Sequence, residues 1–230
     1  MTFVARTGLL LAAGSLLFMT AQVQAQQSKE PAPAHSHDHD HAHDHDHAHP
    51  HVSDDIRRGI FADDQIKARA LTDWQGDWQS VYPLLQDGTL DVVMRHKAEN
   101  GSKSAEEYRA EYETGYRTEV GRIVIDGSTV TFHVGDQAVE GTYEEDGYEV
   151  LTYKAGNRGV RYVFAKVSGD DAAPDFIQFS DHGIFPEDAG HYHLYWGNDR
   201  AALLEEVTNW PTYYPSSMTG AEVAQEMLAH

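Results

Sequence analysis

Between Gly121 and Gly197 the chain is cut into short alternating runs, and this pattern limits the possible folds more than any other feature. The runs are GRIVID, TVTFHV, AVEGTYEED, YEVLTYKA, VRYVFAKV, DFIQFSDH and GHYHLYW, parted by Asp-Gly pairs or glycine-rich turns. A period of two turns one row of side chains into a core and the other toward solvent. Short Asp-Gly connections join neighbouring antiparallel strands. Six or seven such strands in succession make a meander that closes into a barrel. In TVTFHV, His133 shares a face with Thr131, opposite Val130, Phe132 and Val134, so it is expected to point outward and not to act as a ligand.

Helices are expected on either side of the meander, giving a mainly β fold with flanking helices. Ile56, Ile60, Phe61, Ile66 and Leu71 recur at helical spacing, which predicts a short helical lead-in over 54–71. Gly76-Asp77-Trp78 opens a further strand, in a G-x-W pattern found at the mouth of lipocalin-type barrels, and Trp74 and Trp78 read as core residues. Residues 88–117 read as helical, with Ser104 and Glu107 forming a capping box. Tyr108, Tyr112 and Tyr116 then follow every fourth residue as a packing stripe. Near the end, Asp199 caps ALLEEV, NWPTYYP reads as a rigid aromatic loop, and Thr219 with Glu222 caps a terminal helix.

Three of the six histidines outside the N-terminal tract fall in one stretch, FIQFSDHGIFPEDAGHYHLYWGND. His191 and His193 are two apart, so on a strand both imidazoles leave the same face. His182 ends the preceding run, and Gly183, Pro186 and Gly190 can turn the chain back as a hairpin. Three imidazoles then converge from neighbouring strands, a donor set that suits Zn(II) at about 2.0–2.1 Å per nitrogen. The fourth position is open to Glu187, Asp188, His230 or water.

The N-terminus carries a different signature. Arg6, the apolar run Leu9–Met19 and Val23-Gln24-Ala25 read as a signal peptide over 1–25, cleaved after Ala25. No cysteine follows to take a lipid, and no other segment is apolar enough to insert in a membrane once the signal is gone. The expected location is the periplasm. Residues 26–53 hold a tract in which His35, His37, His39, His41, His43, His45, His47, His49 and His51 alternate with Asp, Ala, Ser and Pro. Such a composition is expected to be disordered and to offer many low-order sites for Zn(II), Cu(II) or Ni(II). It should release metal as pH falls through about 6.5, where protons compete for the same nitrogens. The domain proper is expected over 54–230.

Composition narrows the partners. A formal net charge of −20 disfavours nucleic acid and anionic membranes and favours cations. The chain has no cysteine, so an exported fold must rest on its core alone.

Taken together, TDWQGDWQSVYPLLQDGTLD, LTYKAGNRGVRYVF, the histidine stretch and NWPTYYPSSMTGAEVAQEMLAH resemble the ZinT/YodA family of periplasmic zinc-binding proteins. The resemblance spans about Asp54 to His230. It implies a lipocalin-like (calycin) antiparallel barrel with a zinc site at His182, His191 and His193 near the barrel mouth. It also implies a response to zinc scarcity and to Cd(II), and delivery of zinc to the periplasmic binding component of an ABC importer. Some relatives carry a cysteine pair that this chain lacks, and the tract here is longer. A non-enzymatic zinc carrier or reservoir is therefore the expected function, with His230 as an auxiliary ligand. The alternative is a zinc hydrolase or lyase using the open position, with Asp181 or Glu187 as acid or base. A lipocalin-type carrier of an apolar ligand would leave the histidines without a role.

Overall fold

The computed structural model describes residues 54–154 and 156–229. The signal at 1–25, the histidine tract and His230 lie outside the described residues. Eight antiparallel strands, each hydrogen-bonded to the next in sequence and the last to the first, close a barrel. They are β1 (Gly76–Ser80), β2 (Arg122–Asp126), β3 (Thr129–Val134), β4 (Gln137–Thr152), β5 (Arg158–Gly169), β6 (Phe176–Ser180), β7 (Tyr192–Gly197) and β8 (Thr212–Pro215). Between β1 and β2 the chain leaves the barrel for three helices: α2 (Tyr82–Gln86), α3 (Asp91–Asn100) and α4 (Ala105–Gly115). A short α1 (Asp54–Arg57) precedes the barrel. Another helix, α5 (Arg200–Glu205), joins β7 to β8, and α6 (Gly220–Leu228) ends the domain.

Aromatic side chains fill the barrel. Trp74 stacks on Phe179 at 4.5 Å between ring centroids, and Phe164 meets both edge-on. Trp78 and Phe179 each meet Tyr192, which stacks on Tyr213. Each such pair is worth about 0.5–1.5 kcal/mol beyond the area it buries. This filling follows from the alternation: Ile123 and Ile125, Val130 and Phe132, Tyr162 and Phe164, Tyr192 and Leu194 are the buried, inward rows. A second core lies outside the wall, where Tyr116, Leu85, Leu90, Val93, Met94 and Val223 of the helices meet Tyr214 of β8.

Several expectations hold in detail. Both capping boxes form, and Asp199 accepts the N–H groups of Ala201 and Ala202. His133 sits on the face opposite the buried Val130 and Phe132.

Four do not hold. The lead-in is helical only over α1 and in 3₁₀ turns at Asp63–Gln65 and Leu71–Trp74, because Gly59 ends the first turn. Ile56, Ile66 and Leu71 still reach the core, but Ile60 is exposed. The stretch 88–117 divides at Gly101 into α3 and α4. Asp146-Gly147 is not a turn: β4 runs through it, with a register shift against β5 between Glu145 and Tyr148. A glycine at φ +81° serves a bulge as readily as a turn. Finally, the aromatic segment NWPTYYP contains β8, which pairs with β7 and β1 and closes the barrel. The two prolines, one before the strand and one as its last residue, hid the run Thr-Tyr-Tyr-Pro.

Candidate metal centre

The expected hairpin exists, with Ser180 opposite His193. His182 lies just past the end of β6, not on it, and His191 immediately precedes β7. Tyr192 and Leu194 face the barrel core, so His191 and His193 leave the opposite, outer face. The site therefore lies at the end of β6 and β7 on the outside of the wall, alongside the helical layer. His182 is exposed, and His191 and His193 are half-buried.

The three rings form an open triangle with centroid separations of 5.9, 5.9 and 6.2 Å. A tetrahedral ion with nitrogens at about 2.0–2.1 Å draws ring centroids to roughly 5 Å apart. As they stand, no three His, Asp or Glu groups among the described residues close to ligation distance. By donor chemistry, three imidazoles on one cavity wall are a set that suits Zn(II).

His193 is oriented by its neighbour across the ladder. Its Nδ1 lies 2.7 Å from Thr212 Oγ1, and the Thr212 hydroxyl donates to the Trp210 carbonyl at 2.9 Å. A hydroxyl has one proton to give, so Oγ1 accepts from His193, Nδ1 carries the ring proton, and Nε2 keeps its lone pair. Burial, then His182 and His191, hold His193 well below the ordinary imidazole pKa, so it is neutral at pH 7. His191 stacks on Tyr214 at 4.9 Å and 9°. Outer partners of this kind are typically worth 10–100-fold in metal affinity. Thr212→Val should weaken zinc binding by about that factor while Thr212→Ser restores it, as read by chelator competition. Equal loss in both variants would show that the hydroxyl plays no part.

His182 is held differently. Its φ is +68°, a left-handed conformation that costs a non-glycine residue about 1–3 kcal/mol when the surroundings impose it. The surroundings here are a buried charge network. Arg69 Nη1 donates to both oxygens of Asp181 at 2.7 and 2.8 Å, Nε to Asp73 at 2.8 Å, and Nη2 to the Glu187 carbonyl at 2.8 Å. Trp74 Nε1 and the Gly183 N–H add two more donors to Asp181. Asp181 and Gly183, on either side of His182, are thus pinned. A Cβ on Gly183 would collide with the Glu187 carboxylate and lie 2.8 Å from Arg69 Nη1.

This network decides between chemical roles. Asp181 has both oxygens bonded to a permanent cation, so it is badly placed to act as a general base. Glu187 and Asp188 line a cavity of about 880 Å³ together with the three histidines, Tyr112 and Tyr116. Burial raises the Glu187 pKa. Both remain candidates for a fourth position, whereas His230 lies outside the described residues. The packed aromatic interior leaves the apolar-carrier reading without support. Sequence reasoning named the three histidines but missed Thr212, Tyr214 and Arg69. The polar and aromatic alternation in PTYYP was the available signal for the first two.

Comparison with known proteins agrees with this architecture. A family model described as ZinT (YodA) periplasmic lipocalin-like zinc-recruitment matches residues 52–230. The probable metal-binding protein YrpE of Bacillus subtilis is 58% identical over 179 residues, covering 77% of this chain and 71% of that protein. The zinc-binding lipoprotein AdcA of Streptococcus pneumoniae is 46% identical over 177 residues, covering 76% of this chain but only 35% of AdcA. The crystal structure of the Zn(II)-bound ZinT-like domain of that AdcA superposes with a TM-score of 0.73 at 46% identity, covering 75% of this chain and 97% of the domain. On the family match, the barrel and these relatives together, the chain belongs to the ZinT (YodA) family.

Proposed function

We propose that this protein is a non-enzymatic zinc carrier that binds Zn(II) through His182, His191 and His193 and works outside the cytoplasm. The observation that carries the reading is the triangle of three imidazoles on one cavity wall, one of them with its tautomer set by Thr212. Three protein ligands leave one position for water, Glu187, Asp188 or an incoming group, which suits exchange of the ion. His230 is an auxiliary candidate. Cd(II), Cu(II) and Ni(II) suit the same donors to differing degrees. In this reading residues 1–25 direct export to the periplasm, and His35–His51 gathers metal at low order for the barrel site.

Delivery to the zinc-binding component of an ABC importer completes the proposal. AdcA carries a ZinT-like domain within a longer zinc-binding chain, of which this protein spans about a third. Joining two sites in one chain makes transfer intramolecular. Where the domain is separate, transfer requires an encounter between proteins. A zinc competition titration tests the central claim, comparing residues 26–230 with a variant lacking 35–51. The variant should keep one tight site and lose the weaker ones. Loss of all tight binding would instead assign the metal to the tract and leave the barrel histidines without a metal role.

A further inference from the structure

The domain buries two arginine side chains and neutralises only one. Arg69 is surrounded by carboxylates. Arg161, 1% exposed on β5, has no carboxylate partner among the described residues. Its Nη1 and Nη2 donate to the carbonyls of Leu203 and Glu206 at 3.3 and 2.9 Å, which caps the end of α5. Its guanidinium lies 3.2 Å from the centre of the Tyr195 ring. Its Nε is buried and has no hydrogen-bond partner. Capping α5 uses two of five N–H donors and supplies no negative charge.

The nearby acids are committed elsewhere. Glu149 stands opposite Arg161 in the β4–β5 ladder but accepts from Arg200 at 2.9 Å. The Glu206 carboxylate accepts from Thr208 and Asn209. Among the described residues, this buried cation is thus left without a counterion. Buried charges are ordinarily paired, because an unpaired one forfeits hydration without compensation.

A cavity borders this cation, although its free Nε is closed to solvent in this structure. Arg161 lines a cavity of about 290 Å³ with Ser180, His182, His193, Tyr195 and Trp210. Tyr162 faces Phe179 and Ser180 faces His193, so Arg161, Ser180 and His193 occupy adjacent positions on the outer wall. His182 and His193 also line the larger cavity, and the histidine triangle thereby borders both spaces. We infer that the smaller cavity is a binding site for a small carboxylate-type anion, held on Arg161 next to the metal ligands. A planar oxyanion matches the guanidinium fork. Its charge also offsets the repulsion between Arg161 and a metal ion on the shared wall, so anion and zinc each tighten the other. This coupling rests on the zinc reading; the anion site itself does not.

The test uses the metal-free full chain at constant ionic strength, titrated with sodium acetate against sodium chloride. ¹⁵N resonances of arginine Nε–H groups and tryptophan fluorescence are the readouts. One Nε–H resonance should shift saturably at millimolar acetate or below, and that resonance should be absent in Arg161→Lys and Arg161→Gln. Bicarbonate and phosphate arms distinguish a free carboxylate from other oxyanions. Saturating acetate should then tighten zinc binding at least about threefold, with zinc tightening acetate by the same factor, as linkage requires. Zinc binding with no saturable response to acetate, bicarbonate or phosphate would overturn the site and leave Arg161 as the cap of α5. Acetate binding without tight zinc would keep the site and remove the zinc reading. If both variants fail to fold, through-bond assignment of the Arg161 Nε–H in the wild type identifies the shifting resonance.

Discussion

Replacing His182, His191 and His193 together by alanine should abolish the tight zinc site, with a loss of at least about a thousand-fold in affinity. Apparent binding energies of structural zinc sites, about 10–16 kcal/mol, leave ample room for such a drop. The metal-free protein should remain folded, because the three side chains lie on the outer wall and the barrel core is formed by other residues. Losing the His193–Thr212 hydrogen bond and the His191–Tyr214 stack should cost about 1–3 kcal/mol, short of unfolding the domain. Chelator competition gives the first quantity, and urea unfolding of the metal-free chain the second. A variant that still binds one equivalent tightly would move the site away from these residues.

The second large effect is expected at Arg69. Arg69→Met would leave Asp181, 3% exposed, and Asp73, 14% exposed, without their cation. Burial alone would lower the Arg69 pKa, yet Asp181 and Asp73 outweigh it and raise the value, so the three groups act as a unit. Breaking a buried pair from one side costs about 3–5 kcal/mol, because an uncompensated charge remains. Zinc affinity should fall as well, since the same network holds the turn that presents His182. Adding Asp181→Asn to Arg69→Met should recover part of the stability without restoring zinc affinity. A change below about 1 kcal/mol in Arg69→Met would show that the network contributes little.

Much of this arrangement was legible because the relevant signals are local. Both capping boxes, the Asp199 cap and the strand alternation are set within a few residues, and each appears where the sequence puts it. The HxH pair likewise reveals a shared face through a period of two. Failures came where one residue type has two physical uses. Gly147 reads as a turn but makes a bulge, and the prolines around TYY read as a loop but bound a strand. Long-range partners were not legible at all. Arg69 lies 112 residues from Asp181, and nothing near either residue announces the other. Thr212 is 19 residues from His193, and their contact depends on β8 being a strand. The unpaired state of Arg161 could emerge only once Glu149 was seen to serve Arg200.

The seam between β8 and β1 gives the site a place in the order of assembly. Gln79 pairs with Tyr214 across it, so the first and last strands of the barrel must meet. Thr212 and Tyr214, which support His193 and His191, belong to that final strand. Contacts so distant in sequence require the most costly loop closure and tend to form late. The contacts of Thr212 with His193 and of Tyr214 with His191 belong instead to the β7–β8 pair, only 19 and 23 residues apart in sequence, so a partly folded chain can hold these histidines before the seam closes. On the proposed zinc reading, metal can thus settle on these histidines before the barrel is finished, and the seam between β8 and β1 is the last joint to be made.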